Sequence, residues 1–265
     1  MRAPLALACA LALGAAGGGP AAAAADRHEW RSEAAVAHIR YAEPGVMKER
    51  GMFYGLSGGY TYRRALFLRT EARALYGRVD YRNSGSIDDI DDYLIEARQL
   101  VGIDLEPGGG AHLTTFAGIG YRYLQDDAGG RLSSTGALGY ERESHYLYSP
   151  VGLELTLPLD DTWSLRAEAE YDFFWRGRQE SHLSDADPGY GDIDNRQDHG
   201  YGVRGALTLA ARLRRVRLAL TPYAAYWRVR RSDLELLTYY GTVVGFGYEP
   251  ENESTEIGVR LGIRF

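Results

Sequence analysis

The chain has 265 residues, 45% of them apolar and 25% charged, with a net charge of −6 and one cysteine. An acidic balance argues against a nucleic-acid footprint. No apolar run long enough for a membrane helix follows the first 25 positions, which excludes a bundle of spanning helices.

The chain opens with Arg2, an apolar stretch over 4–16, and small residues ending Ala23-Ala24-Ala25 ahead of Asp26-Arg27. That is the layout of a secretory signal, so cleavage is expected after Ala25, with 26–265 as one exported domain. Cys9 leaves with the signal, and the mature chain then holds no disulfide.

From residue 33 onward the hydrophobic pattern has period two. Ala35, Ala37, Ile39 and Tyr41 alternate weakly with Val36, His38 and Arg40. Over 51–62 the apolar set is Met52, Tyr54, Leu56, Tyr60 and Tyr62; over 93–105 it is Tyr93, Ile95, Ala97, Val101, Ile103 and Leu105. Segments 111–125, 162–176 and 201–209 repeat the pattern, and Ile257, Val259, Leu261, Ile263 and Phe265 give the cleanest stripe. Strict alternation over this length marks strands whose two faces meet different environments. Three segments change phase midway: 65–81 near Ala74-Leu75, 146–157 at Pro150 and 216–229 at Pro222. A bulge adds one residue and flips the phase, and proline favours such sites, so bulges are expected at the two prolines.

Connections at 63–64, 106–110, 158–161 and 212–215 are short. Those at 82–92, 126–141, 177–197 and 232–254 are long and acidic, and the two kinds alternate. Transmembrane barrels sort their loops in this way, with short periplasmic turns and long external loops. Trp163 and Trp175 are twelve residues apart. That is roughly 40 Å along a strand and roughly 30 Å vertically at a tilt of about 40°, close to an apolar band flanked by aromatic girdles. Tyr121, Tyr123, Tyr146, Tyr148 and Tyr171 are expected in the outer girdle. Nine strands can be counted from 51 to 265, and even parity adds 33–41 as a tenth. The expected fold is all-β, a transmembrane antiparallel up-and-down barrel of ten strands, with eight as the alternative.

With its signal segment and a closing strand Ile257-Gly258-Val259-Arg260-Leu261-Gly262-Ile263-Arg264-Phe265, the chain resembles Gram-negative outer-membrane β-barrel proteins. The resemblance is to the class and to no single family. It implies a cell outer membrane location, contact with outer-membrane lipids and lipopolysaccharide, and recognition of Phe265 by the barrel-assembly machinery. A monomer without a cofactor is expected.

The polar face would line the lumen with Glu71, Arg73, Glu96, Arg98, Glu154, Arg166, Glu168, Glu170, Arg204, Glu256 and Arg260. Mixed charges in a narrow barrel should pair, with Arg166 reaching Glu154 or Glu168, and plug the lumen. Inward glycines such as Gly120 and Gly202 leave room for large neighbours or for a pore. The primary expectation is therefore a structural or surface-interaction barrel, and the alternative is a narrow channel for ions or small solutes. Asp88, Asp89, Asp91 and Asp92, and Asp185, Asp187, Asp192 and Asp194, could offer oxygen ligands to divalent cations. A rim enzyme is the third reading. Omptin proteases carry acidic and Asp/His pairs at the external rim, where Asp198-His199 falls. Lipid A deacylases use His, Ser and Glu, and Glu180-Ser181-His182-Leu183-Ser184 has those types. Adjacent strand residues diverge, and no catalytic residue is assigned.

Overall fold

The computed structural model describes residues 27–214 and 216–265, so the expected signal segment and Cys9 lie outside the described residues. The elements are β1 (His28–Glu43), β2 (Met47–Arg63), β3 (Phe67–Arg82), β4 (Ser86–Gly108), β5 (Ala111–Asp127), β6 (Glu141–Pro158) and β7 (Trp163–Ser181). They continue with β8 (Ile193–Gln197), β9 (Gly200–Leu213), β10 (Val216–Val229), β11 (Glu235–Tyr239), β12 (Thr242–Gly247) and β13 (Asn252–Arg264). β1 to β7, β9, β10 and β13 pair antiparallel in that order, and β13 returns to β1, closing a barrel of ten strands. β8 pairs with the far end of β7, and β11 and β12 form a separate hairpin. The closing seam runs through the last residue: the Trp30 N–H donates to the Phe265 carbonyl at 2.8 Å, and the Phe265 N–H donates to Trp30 at 3.0 Å.

Turns 64–66, 109–110, 159–162 and the β9–β10 turn form one rim, the base. Gly109 and Gly110 have φ of 64° and 76°, the left-handed conformation a turn this tight needs. The opposite rim carries 44–46, 83–85, 128–140, 182–192 and 230–251. Segment 82–92, expected as a long loop, is instead mostly strand: β4 begins at Ser86, and only 83–85 turn. Parts of 177–197 and 232–254 are likewise strand. These strands run well past the aromatic girdle, so their polar composition belongs to extended β-structure and not to loops.

The barrel therefore has two halves of opposite polarity. In the base half, here the belt, aliphatic residues point outward. Leu56 is 65% exposed, Leu261 63% and Leu207 53%. Trp30, Trp163 and Phe265 ring its base edge, while Tyr54, Tyr76, Tyr93, Tyr121, Tyr171, Phe173 and Trp175 ring its other edge, all exposed. In the far half, the crown, the outward positions are polar: Arg40, Arg50, Arg78, Arg178 and Asp194. There Ala37, Ile39, Phe53, Leu75, Val79, Ile90 and Leu94 point inward and pack as one buried cluster. Tyr146, Trp227 and Val229 are buried in the same half.

This inversion explains the three phase changes, and bulges do not. The register of β10 is continuous past Pro222 against β13, and the pairings of β5 with β6 keep one register on either side of Pro150. β3 is in unbroken register with β2 through Ala74-Leu75. What switches is the face that carries the apolar residues, from outward Leu218 and Leu220 to inward Ala225 and Trp227. Tyr146 and Tyr148, expected in the girdle, are accordingly buried inside. In β1 the expected apolar set faces inward, with Ala37 and Ile39 buried and Val36 exposed. True register shifts occur between Val79 and Tyr81 of β3, where Asp89 of β4 takes a φ of 56°, and at Trp175 of β7, which is left without a partner opposite Leu147 and Tyr148 while β6 itself keeps its parity.

Candidate functional site: the lumen and the crown rim

Inside the belt, charged side chains from strands on opposite walls meet. Arg98 of β4 binds Glu71 of β3 and crosses to Glu170 of β7 at 2.7 Å. Arg204 of β9 reaches Glu170 at 2.8 Å, Asp172 at 2.8 Å and, across the barrel, Glu96 at 3.0 Å. Arg73 joins Glu96 at 2.7 Å to Glu256 at 2.6 Å. Toward the base, Arg31 lies 2.7 Å from Glu71 and 3.7 Å from Glu33, which Arg260 also approaches at 3.7 Å. Arg69 lies 3.9 Å from Glu71 and binds Glu154, whose Oε2 lies 3.3 Å from Arg166 Nη1. Tyr148 and Tyr223 donate hydroxyl hydrogen bonds of 2.6 Å to Glu96 and Glu256.

Of the residues expected to line the lumen, Glu71, Arg73, Glu96, Arg98, Glu154, Arg166, Glu170, Arg204, Glu256 and Arg260 thus belong to one connected network. Glu168 does not pair with Arg166 or with any other cation among the described residues. It lines a void of about 50 Å³ together with Arg31, Arg98 and Arg204, room for a few waters. The space at two inward glycines is taken by large rings. Gly120 faces Tyr148 and Gly202 faces Trp227 across their strand pairs, and a Cβ on Gly202 would stand 2.7 Å from the indole.

Sequence reasoning missed Arg31, Glu33, Arg69 and Asp172. The first two sit where the β1 pattern is weak. Arg69 and Asp172 share parity with Glu71 and Glu170, a signal that could have found them. It also missed a second ionic cluster at the crown mouth. There Arg142 lies 2.9 Å from Glu43, 2.8 Å from Glu49 and 2.6 Å from Asp126. Between the two, Arg122 is buried without an ion pair among the described residues. It lies over the Trp227 ring at 5.2 Å, a cation–π contact, and donates to Ser254 Oγ at 3.4 Å. In the loop above, Tyr41 donates to Glu249 at 3.0 Å. Burial and the neighbouring Glu43 push the Glu249 carboxyl up to about 8.

The acidic runs do not converge on a cation-sized point. Asp88 pairs with Arg82 at 2.6 Å, Asp91 with Arg78 at 3.0 Å and Asp194 with Arg178 at 2.7 Å. Asp89 donates its backbone N–H to Asp80, Asp187 accepts from the Gly189 N–H, Asp185 accepts from the Glu141 N–H, and Asp92 faces the mouth near Asp126. At the rim, Asp198 binds Arg196 at 2.6 Å rather than His199. The segment Glu180-Ser181-His182 is not a free loop. β7 continues through Ser181, and a single 3-10 turn, Leu183–Asp185, follows. Ser181 is buried on the inner face while Glu180 is outward, so the two cannot share one reaction centre.

No known protein family matches the chain, and no curated protein matches it in sequence. Among solved structures it is similar to the outer membrane protease OmpT of Escherichia coli, at 11% identity and a TM-score of 0.61, over 91% of this chain and 96% of that one. It also matches the translocator domain of the autotransporter NalP of Neisseria meningitidis, at 11% identity and a TM-score of 0.44, over 90% and 88%. The fold is that of the Gram-negative outer-membrane β-barrels.

Proposed function

We propose that the protein is a monomeric outer-membrane barrel whose lumen is closed and whose working surface is the crown, displayed outside the cell. The belt sits in the outer membrane among its lipids and lipopolysaccharide, with the base rim toward the periplasm. The observation that carries the reading is the network bridging opposite walls through Arg98, Arg204 and Arg73, which leaves beside it a void of only about 50 Å³. A crown stabilised by its own apolar core holds a rigid polar surface beyond the membrane, which suits surface interaction. Purified protein in planar bilayers should give no conductance steps at neutral pH. Regular steps from the unmodified protein would overturn the closed-lumen reading in favour of a narrow channel. The reading as a rim enzyme has no comparable support, because Asp198 pairs with Arg196 and not with His199.

Phe265 is half exposed at the end of the outward stripe of β13 and is proposed as the assembly signal. Its deletion should lower the heat-modifiable form in the outer membrane and leave periplasmic material open to proteases. Unchanged levels would remove that role.

A further inference from the structure

On the outer wall of the crown, one strand step beyond the tyrosine girdle, two imidazoles converge on one carboxylate. Glu141, Glu143 and His145 of β6 alternate with inward Arg142 and Ser144, so all three face outward. Glu180, on the outward face of β7 opposite Glu143, and His182, just past its end, join them. His145 Nε2 lies 3.1 Å from Glu180 Oε1 and 3.6 Å from Glu143 Oε2. His182 Nε2 lies 3.7 Å from Glu143 Oε1. Glu143 thereby belongs to two triads, one with His145 and Glu180 and one with Glu141 and His182. The ligand atoms of each lie within 4.8 Å of one another.

Three further observations separate this cluster from a solvated patch of surface charge. Both Nε2 atoms are shielded from solvent and lack a hydrogen-bond partner, although each points at carboxylates. Both Nδ1 atoms are engaged from behind, His145 by the Tyr121 hydroxyl at 2.6 Å and His182 by Asp192 Oδ2 at 3.4 Å. A partner on the far ring nitrogen orients each ring, and the Asp192 carboxylate, which can only accept, favours the His182 tautomer whose Nε2 lone pair is free, the usual support of a metal-ligating histidine. The backbone is also held, since the His182 N–H donates to the Glu141 carbonyl at 3.0 Å and the Ser184 N–H to Asp192 at 3.0 Å.

The geometry points to a binding site for divalent transition-metal ions of the zinc class, built from His145, His182, Glu143, Glu180 and Glu141, with Glu143 shared between the two triads. Imidazole nitrogen with carboxylate oxygen suits zinc, whereas calcium and magnesium call for six or more oxygens. Three protein ligands per triad leave an outward position open to water or to an anionic oxygen. A bound ion would tie β6 to β7 and to the loop 182–192, pinning the crown surface.

The test uses the untagged full barrel, refolded in detergent and stripped with chelator. Zinc chloride titrated calorimetrically should bind at one or two ions per barrel, either number being compatible with a shared carboxylate. Cobalt should give the visible bands of a site with nitrogen ligands. Glu143→Gln, and separately His145→Ala with His182→Ala, should weaken zinc by on the order of 100-fold or more, since loss of a ligand exceeds the loss of an outer partner. Heat-modifiable migration checks that each variant folds, and Glu143→Gln, which preserves shape, serves if the double variant does not. Absence of zinc binding would overturn the site. So would affinity unchanged in folded Glu143→Gln, or equal displacement by millimolar calcium, each of which would mean an adventitious ion only.

Discussion

The belt and the crown are built from the same ten strands and solve opposite problems. In the belt the apolar face is turned outward and the charges are confined inside, where they pair across the lumen. In the crown, water takes the polar face and the interior is an ordinary apolar core of Phe53, Leu75, Val79, Ile90 and Leu94, completed by Tyr146 and Trp227. The change of solvent along each strand reverses which parity is apolar, with no change of register. A barrel can therefore carry a soluble-type fold above a membrane-type fold without a linker between them.

The comparison breaks hardest at Arg98. Arg98→Ala would leave Glu71 and Glu170 short of a cation in a confined space, and removing one partner of a buried pair costs about 3–5 kcal/mol. The expected outcome is a large drop in the temperature at which the heat-modifiable band is lost, or a cation-preferring leak in bilayers. Stability and silence both unchanged would mean that the belt does not depend on its ion pairs.

Leu94→Ala addresses the crown. It removes a fully buried side chain from the apolar cluster, a change that costs about 2–5 kcal/mol, depending on how far the cavity collapses. Protease sensitivity of the crown strands should rise while bilayers stay silent, because the charged plug below is untouched.

A pair of surface changes sharpens the solvent boundary itself. Leu207→Arg on the belt exterior should cost about 2–4 kcal/mol in lipid and reduce folding into vesicles. Arg78→Leu on the crown exterior, where Arg78 is mostly exposed beside Asp91, should leave stability nearly unchanged. Equal effects at the two sites would place the boundary elsewhere.

The smallest expected effect is a titration. The Glu249 carboxyl is pushed up to about 8 by burial and by Glu43. A raised value means that the folded state holds its proton more tightly than the unfolded chain. The contribution is therefore complete below the ordinary carboxylate range and is lost as pH rises through about 8. Hydrogen exchange in 230–251, corrected for intrinsic rate, should rise across that range, and Glu249→Gln should flatten the response.

Local pattern was sufficient for much of this molecule. Strict alternation in 257–265 and the parity of strand ends already point to an antiparallel barrel of ten strands, because a pleated strand places neighbours on opposite faces whatever the fold. The same parity placed Arg98, Arg204 and Glu256 inside. What alternation cannot carry is the identity of the solvent at each height. Pro150 and Pro222 read as bulges only if the apolar face is assumed to keep one side. The closed barrel shows instead that it changes sides where the strands leave the belt. Partners across the lumen, such as Arg98 with Glu170 or Arg204 with Glu96, were likewise decided by the tertiary structure, because strand tilt and stagger, not sequence spacing, set which walls meet. The convergence of His145 and His182 on Glu143 has the same origin. It needs the register that β6 and β7 take beyond the bulge at Trp175, and the loop 182–192 folded back so that Asp192 holds His182, and no spacing along the chain records that.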